Sequence, residues 1–175
     1  MQAPELQVTQ WFNTKQDLKL SDLKEKVVLI EAFQMLCPGC VLHGIPLAQS
    51  VQQQFPSDKV AVIGLHSVFE HHEAMTPVSL KAFLHEYRIT FPVAVDKQGS
   101  GPLPETMAAY GMRGTPSLIL LDQEGRIAAH HFGQISGLQL GAEIGSLLAS
   151  GNTAVTTVEQ KLAYSSRCDE DGCTL

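Results

Sequence analysis

Two cysteines three positions apart, Cys37 and Cys40, directly follow an apolar run at 27–33 and stand at the start of a helical pattern. Free backbone N–H groups and the dipole at a helix start stabilise a thiolate, so this junction makes Cys37 a nucleophile. Cys40, one turn further in, is placed to attack a mixed disulfide on Cys37, releasing the partner and leaving an intramolecular disulfide. Val41 rather than His follows Cys40, which excludes the haem-attachment motif. A second pair, Cys168 and Cys173, encloses Asp169-Glu170-Asp171-Gly172 near the end of the chain. It is an auxiliary redox candidate, since the tail is long enough to bring it to Cys37; the alternatives are two idle or metal-scavenging thiols. Zinc held jointly by both pairs is a further reading, but structural zinc draws on knuckle-like turns rather than on a strand-to-helix junction.

The chain around these cysteines has 175 residues, 44% of them hydrophobic, enough for one globular core. Its 12 Lys and Arg are scattered among 18 Asp and Glu, a formal charge of -6, and form no stripe that would bind nucleic acid. The longest nearly uniform apolar run has seven residues and includes Glu31, too short for a membrane span. Residues 1–10 lack the charged and apolar regions of a secretory leader, which points to the cytoplasm, or to the periplasm if a leader has been removed.

The β-branched run at 27–33 reads as a buried strand, and 38–55 as a helix with Pro38 in its first turn and a kink at Pro46. A strand at 60–68, a helix from Thr76-Pro77 to about Tyr87, a strand at 91–95, a loop at 96–104 and a short helix at 105–110 follow. Strands at 117–121 and 127–132 flank a turn at 122–125 and form an antiparallel hairpin, and a helix at 138–148 closes the core. The expected fold is α/β, a central sheet with helices on both faces, mostly parallel with an antiparallel end. Residues 1–150 form the domain and 151–175 a polar tail. The opening before residue 21 reads as irregular.

From about residue 7 to 148 this pattern resembles the thioredoxin superfamily, in its TlpA/ResA-like, AhpC/TSA-related branch. Glu31 lies six residues before Cys37, where that branch often carries Glu, and the resemblance implies that it helps deprotonate Cys40 during resolution. Gly114-Thr115-Pro116 matches the family's Gly-x-Pro loop, whose proline is cis and lies beside the cysteine pair. Thr115, Pro116 and Pro38 are then the substrate-binding residues, with the Thr115 backbone docking an extended partner. The segment between the first helix and the third strand resembles the insertion of TlpA-like and peroxiredoxin-like members. Phe33-Gln34-Met35-Leu36 stands where most TlpA-like proteins carry Trp and other aromatics, so the surface around Cys37 differs.

The main reading is a thiol-disulfide oxidoreductase acting on protein thiols or disulfides, served by an electron-donor reductase, with no cofactor and no metal. One alternative is a peroxiredoxin-like peroxidase, although Gln34 replaces the signature Thr and Arg113 is the nearby charge left to hold peroxide. The other is a metal-binding or redox-sensing module. His66, His71 and His72, and likewise His130 and His131, read as surface or partly buried histidines, His43 as facing away from the cysteines, and Met35, Met75, Met107 and Met112 as packing residues.

Overall fold

A computed structural model describes residues 1–151. Six strands, β1 (Val8–Phe12), β2 (Val27–Phe33), β3 (Val60–His66), β4 (Val93–Asp96), β5 (Ser117–Leu121) and β6 (Ile127–Phe132), form one sheet in the order β1-β4-β3-β2-β5-β6. The helices are α1 (Ile45–Gln54), α2 (Pro77–Glu86), α3 (Glu105–Ala109) and α4 (Gly137–Gly151). All seven residues of β2 are buried because it lies between β3 and β5 with both faces covered. On one face Leu29 and Phe33 pack with Ile45, Leu80, Leu140 and Ile144 from α1, α2 and α4. On the other, Val28, Ile30 and Ala32 meet Met107 of α3 and Leu20 of a 3-10 turn, Leu20–Leu23.

The hairpin strands keep their expected bounds, and β6 alternates half-buried and exposed residues as an edge strand should. Two expectations are corrected. The sheet is parallel only through β2, β3 and β4; it is antiparallel at both ends, with β5 running against β2 and β1 against β4. And the opening is not wholly irregular: Val8–Phe12 pairs with β4 along the sheet edge. Thr9 and Gln10 break any apolar alternation, so this strand exists through its partner rather than its own pattern.

Local chemistry sets the helix starts. Thr76 caps α2 by accepting a hydrogen bond from the Ser79 N–H at 3.3 Å, with Pro77 in the first turn. The buried Asp96 carboxylate accepts from the N–H groups of Thr106 and Met107, at 2.9 and 3.1 Å, and from the Ser67 hydroxyl at 2.9 Å. One side chain thus ties the end of β4 to β3 and to the start of α3.

The expected kink at Pro46 takes a specific form. Residues 38 and 39 are helical, Cys40–Gly44 is a π-helical turn in which the Ile45 N–H reaches back to the Cys40 carbonyl, and α1 continues from there. Pro46 has no N–H to offer and its ring crowds the carbonyl four residues back; widening the preceding turn accommodates both.

Candidate active site

β2 delivers the chain to the site as a rigid, fully buried rod, and the next three residues turn it into the helix. The buried Gln34 holds this turn: its side-chain oxygen accepts from the Phe69 N–H at 3.3 Å, its amide nitrogen donates to Glu70 at 3.4 Å, and its carbonyl accepts from the Cys37 N–H at 3.2 Å. Cys37 and Cys40 form a disulfide with Cα atoms 5.3 Å apart. Their environments differ. Cys37 is half-buried, whereas Cys40 is fully buried against Ile45 and Ala48, so a partner reaches the first sulfur only. The Cys40 N–H points at Cys37 Sγ from 3.2 Å, the backbone donor a thiolate there requires.

The Thr115–Pro116 peptide bond is cis and lies directly beside the pair. Cys37 Sγ is 3.5 Å from the Thr115 carbonyl oxygen, and a Cβ built on Gly39 would lie 3.2 Å from Pro116 Cδ. The Ser117 hydroxyl donates to the Gly114 carbonyl at 2.7 Å and the Gly133 N–H donates to the Pro116 carbonyl at 2.9 Å, which fix the loop from both sides. Thr115 is partly exposed, Pro116 is buried, and Pro38 is exposed at the helix start.

Glu31 points from β2 into the space behind the cysteines. It is 1% exposed, burial raises its pKa well above the ordinary carboxylate range, and Oε1 has no hydrogen-bond partner among the described residues. A Cβ on Gly44 would overlap Glu31 Oε1 and approach Pro116 Cβ to 3.2 Å, so the π-helical turn presents its bare glycine where the carboxyl and the cis-proline meet. A narrow cleft lined by Glu31, His43, Gly44 and Pro116 opens here. A buried carboxyl whose pKa desolvation raises and that borders an opening can give and take a proton.

Cys37, Cys40, Glu31, Thr115, Pro116 and Pro38 therefore converge on one end of the sheet. Cys168 and Cys173 lie outside the described residues. Residue spacing gives Gly44 no signal, although it lies one turn after Cys40 on the same helix, and Gln34, legible in the sequence only as a replacement for Thr, acts by its position. Arg113 packs over Phe132, 5.6 Å from its ring centroid, next to the proline loop. Among the histidines one expectation is overturned: His66 is not a surface or partly buried residue but is 1% exposed, set 5.3 Å from the Phe33 ring, with neither ring nitrogen hydrogen-bonded among the described residues. It ends β3 inside the apolar layer under α2. His71, His72 and His130 are exposed, while His131 pairs with Glu143 at 2.7 Å. Among the described residues no three His, Cys, Asp or Glu side chains gather as a metal site.

Comparison with known proteins agrees with this geometry. Thioredoxin-like protein YneN of Bacillus subtilis is 28% identical over 135 residues, 77% of this chain and 72% of its own. Thiol-disulfide oxidoreductase ResA of Bacillus thuringiensis is 27% identical over 139 residues, 79% and 72% of the two chains. Among solved structures, a thioredoxin-like superfamily protein is 71% identical with a TM-score of 0.83, covering 85% of this chain and 96% of that one. A thiol-disulfide isomerase from Corynebacterium glutamicum is 51% identical with a TM-score of 0.80, covering 84% and 97%. The AhpC/TSA family profile matches residues 1–130, more than half of the sequence. The chain belongs to the AhpC/TSA family, as a TlpA/ResA-like redoxin with thiol-disulfide oxidoreductase activity.

Proposed function

We propose that this oxidoreductase exchanges disulfides with protein partners through Cys37 as the entry sulfur, Cys40 as the resolving sulfur and Glu31 as the proton acceptor and donor for Cys40. The observation that carries this is the asymmetry of the pair: Cys37 is accessible and faces a backbone N–H, while Cys40 is wholly enclosed. In the reducing direction the Cys37 thiolate attacks a partner disulfide, one partner sulfur leaves as a thiolate, and Cys40, losing its proton toward Glu31, attacks Cys37 Sγ. The Cys37–Cys40 disulfide forms and the partner departs with both electrons. An extended partner strand lies along the Thr115 carbonyl and Pro116, with Pro38 at its edge.

Disulfide exchange is favoured over peroxide reduction by Gln34. It occupies the position where peroxide chemistry needs a hydroxyl, and its amide is already committed to Phe69 and Glu70. The cytoplasmic assignment belongs to the same proposal, with an electron-donor reductase returning the pair to the dithiol; a reducing compartment makes the chain a reductant, an oxidising one a disulfide donor. No helix among the described residues is long and apolar enough to cross a membrane.

The test uses a protein of known disulfides, such as insulin. The reduced chain cleaves its disulfides, Cys37→Ser is inactive, and Cys40→Ser accumulates as a covalent adduct through Cys37. Peroxide consumption with Cys37 sulfenic acid and no protein adduct overturns the proposal.

A further inference from the structure

The surface around Cys37 is apolar with a cationic edge. Leu36 and Leu42 are 58% and 67% exposed on either side of the pair, and Phe132 is 55% exposed beneath the Arg113 guanidinium, two residues from the Thr115 carbonyl. Its complement exists in the same chain: three carboxylates, Asp169, Glu170 and Asp171, lie between Cys168 and Cys173. Resting on the reading of Cys37 as the entry sulfur, we propose that the Cys168/Cys173 dithiol docks on this rim and reduces the Cys37–Cys40 disulfide within one molecule.

The fold supplies the reach. Gly133 and Ile135 line the cleft at Pro116, and α4 starts just beyond them at Gly137. Its 15 residues carry the chain about 22 Å along the helix axis, at about 1.5 Å per residue. From Gly151 to Cys168 there are 17 steps. Covalent geometry limits a segment of that length to a reach of about 55–60 Å. That limit exceeds the length of α4 more than twofold, so the tether can return the pair to Cys37 as an intramolecular partner, at an effective concentration up to the order of millimolar.

The chemistry sets the direction. Flanking carboxylates disfavour the Cys168 and Cys173 thiolates, which makes these thiols the stronger electron donors, whereas Cys37 leaves readily because the Cys40 N–H receives its charge. The Cys168 thiolate attacks Cys37 Sγ, the Cys37–Cys40 bond breaks, and the Cys40 thiolate takes a proton from Glu31. Cys173, deprotonated, then attacks Cys168 Sγ and expels the Cys37 thiolate. Two electrons move from the tail to the core pair, the tail ends as a disulfide, and an external dithiol donor restores it. The tail thus loads the core with electrons for the next client.

The full-length Cys40→Ser/Cys173→Ser chain keeps only Cys37 and Cys168. One equivalent of the aromatic disulfide DTNB, added to the reduced protein, should release two nitrothiobenzoate ions per chain. The first accompanies the mixed disulfide on Cys37 and the second the closure to Cys37–Cys168, seen by peptide mapping as a monomeric cross-link whose rate does not vary with protein concentration. The mirror pair Cys40→Ser/Cys168→Ser should close through Cys173. Arg113→Glu should slow closure about 2- to 5-fold, the scale of an exposed charge pair. Cys37 that accepts the nitrothiobenzoate group but closes only between chains, or not at all, in both pairs overturns the tail inference and leaves the entry role of Cys37 standing. Closure indifferent to Arg113→Glu overturns the docking rim. Cys37 that fails to react overturns the entry role itself, and with it the relay.

Discussion

The carboxyl of Glu31 rests directly against the α-carbon of Gly44, in space that a methyl group on that glycine would occupy, and Pro116 closes the same space from the third side. Strand, helix and cis-proline loop thus meet at one point behind the cysteines, and the contact works only because residue 44 has no side chain. Gly44→Ala should therefore destabilise the fold by about 1–3 kcal/mol through overpacking, and displace the carboxyl. Adding Glu31→Ala to that variant should recover part of the loss, a positive coupling readable in urea midpoints. Simple additivity of the two changes would argue against the contact.

Glu31 itself should show opposite effects on stability and on activity. Its folded pKa lies above the ordinary 4.5, so its favourable contribution is present at acid pH and fades as pH rises through 4.5, where the unfolded chain ionises and the folded one resists. Glu31→Gln should accordingly be more stable than wild type at pH 7, with the difference vanishing toward pH 4. The same variant should lose about 100-fold in the rate of disulfide resolution, the lower range for a positioned proton-transfer group. Stopped-flow release of the mixed disulfide measures it.

The two active-site sulfurs should be distinguishable chemically. After reduction, Cys37 is the exposed one and faces the Cys40 N–H, so iodoacetamide at pH 6–7 should label Cys37 at least about tenfold faster than Cys40, below the ordinary thiol pKa of about 8.5. Peptide mass spectrometry of briefly alkylated protein is sufficient. Equal labelling would contradict the accessible and enclosed roles.

Acid sensitivity should trace in part to His66. Burial lowers its pKa from 6.5 to about 4. An unfolded chain protonates this ring near pH 6.5, while the folded ring stays neutral until about pH 4, so stability falls as pH drops through that window, by up to about 3 kcal/mol. His66→Leu should lose less stability than wild type between pH 7.5 and 4.5, by about 2–3 kcal/mol in urea titrations. Parallel losses in the two proteins would place the acid response elsewhere.

Much of this molecule is written in short-range pattern. Thr76-Pro77 starts α2 because a hydroxyl and a donorless residue suit a helix N-terminus, and 117–121 with 127–132 makes the hairpin because its turn residues lie between two apolar strands. The Cys-x-x-Cys pair is legible for the same reason: the strand before it and the helix after it lie within a few residues. The edge strand Val8–Phe12 was not legible, since its polar residues have no periodicity of their own and acquire a role only along β4. Nor was the π-helical turn, where a kink was expected but not the way it brings Gly44 to Glu31.

The sequence by itself determined which residues could carry redox chemistry and that two sulfurs would share one helix start, because bond lengths and helical rise govern positions three apart whatever surrounds them. Only the tertiary structure decided that Cys40 is sealed while Cys37 is open, that Glu31 has no polar partner among the described residues, and that His66 is inside. Exposure and desolvation are properties of the layers packed over a side chain. Those layers, α1, α2, α4 and the 116 loop, come from distant parts of the chain, brought together by the order of strands in the sheet.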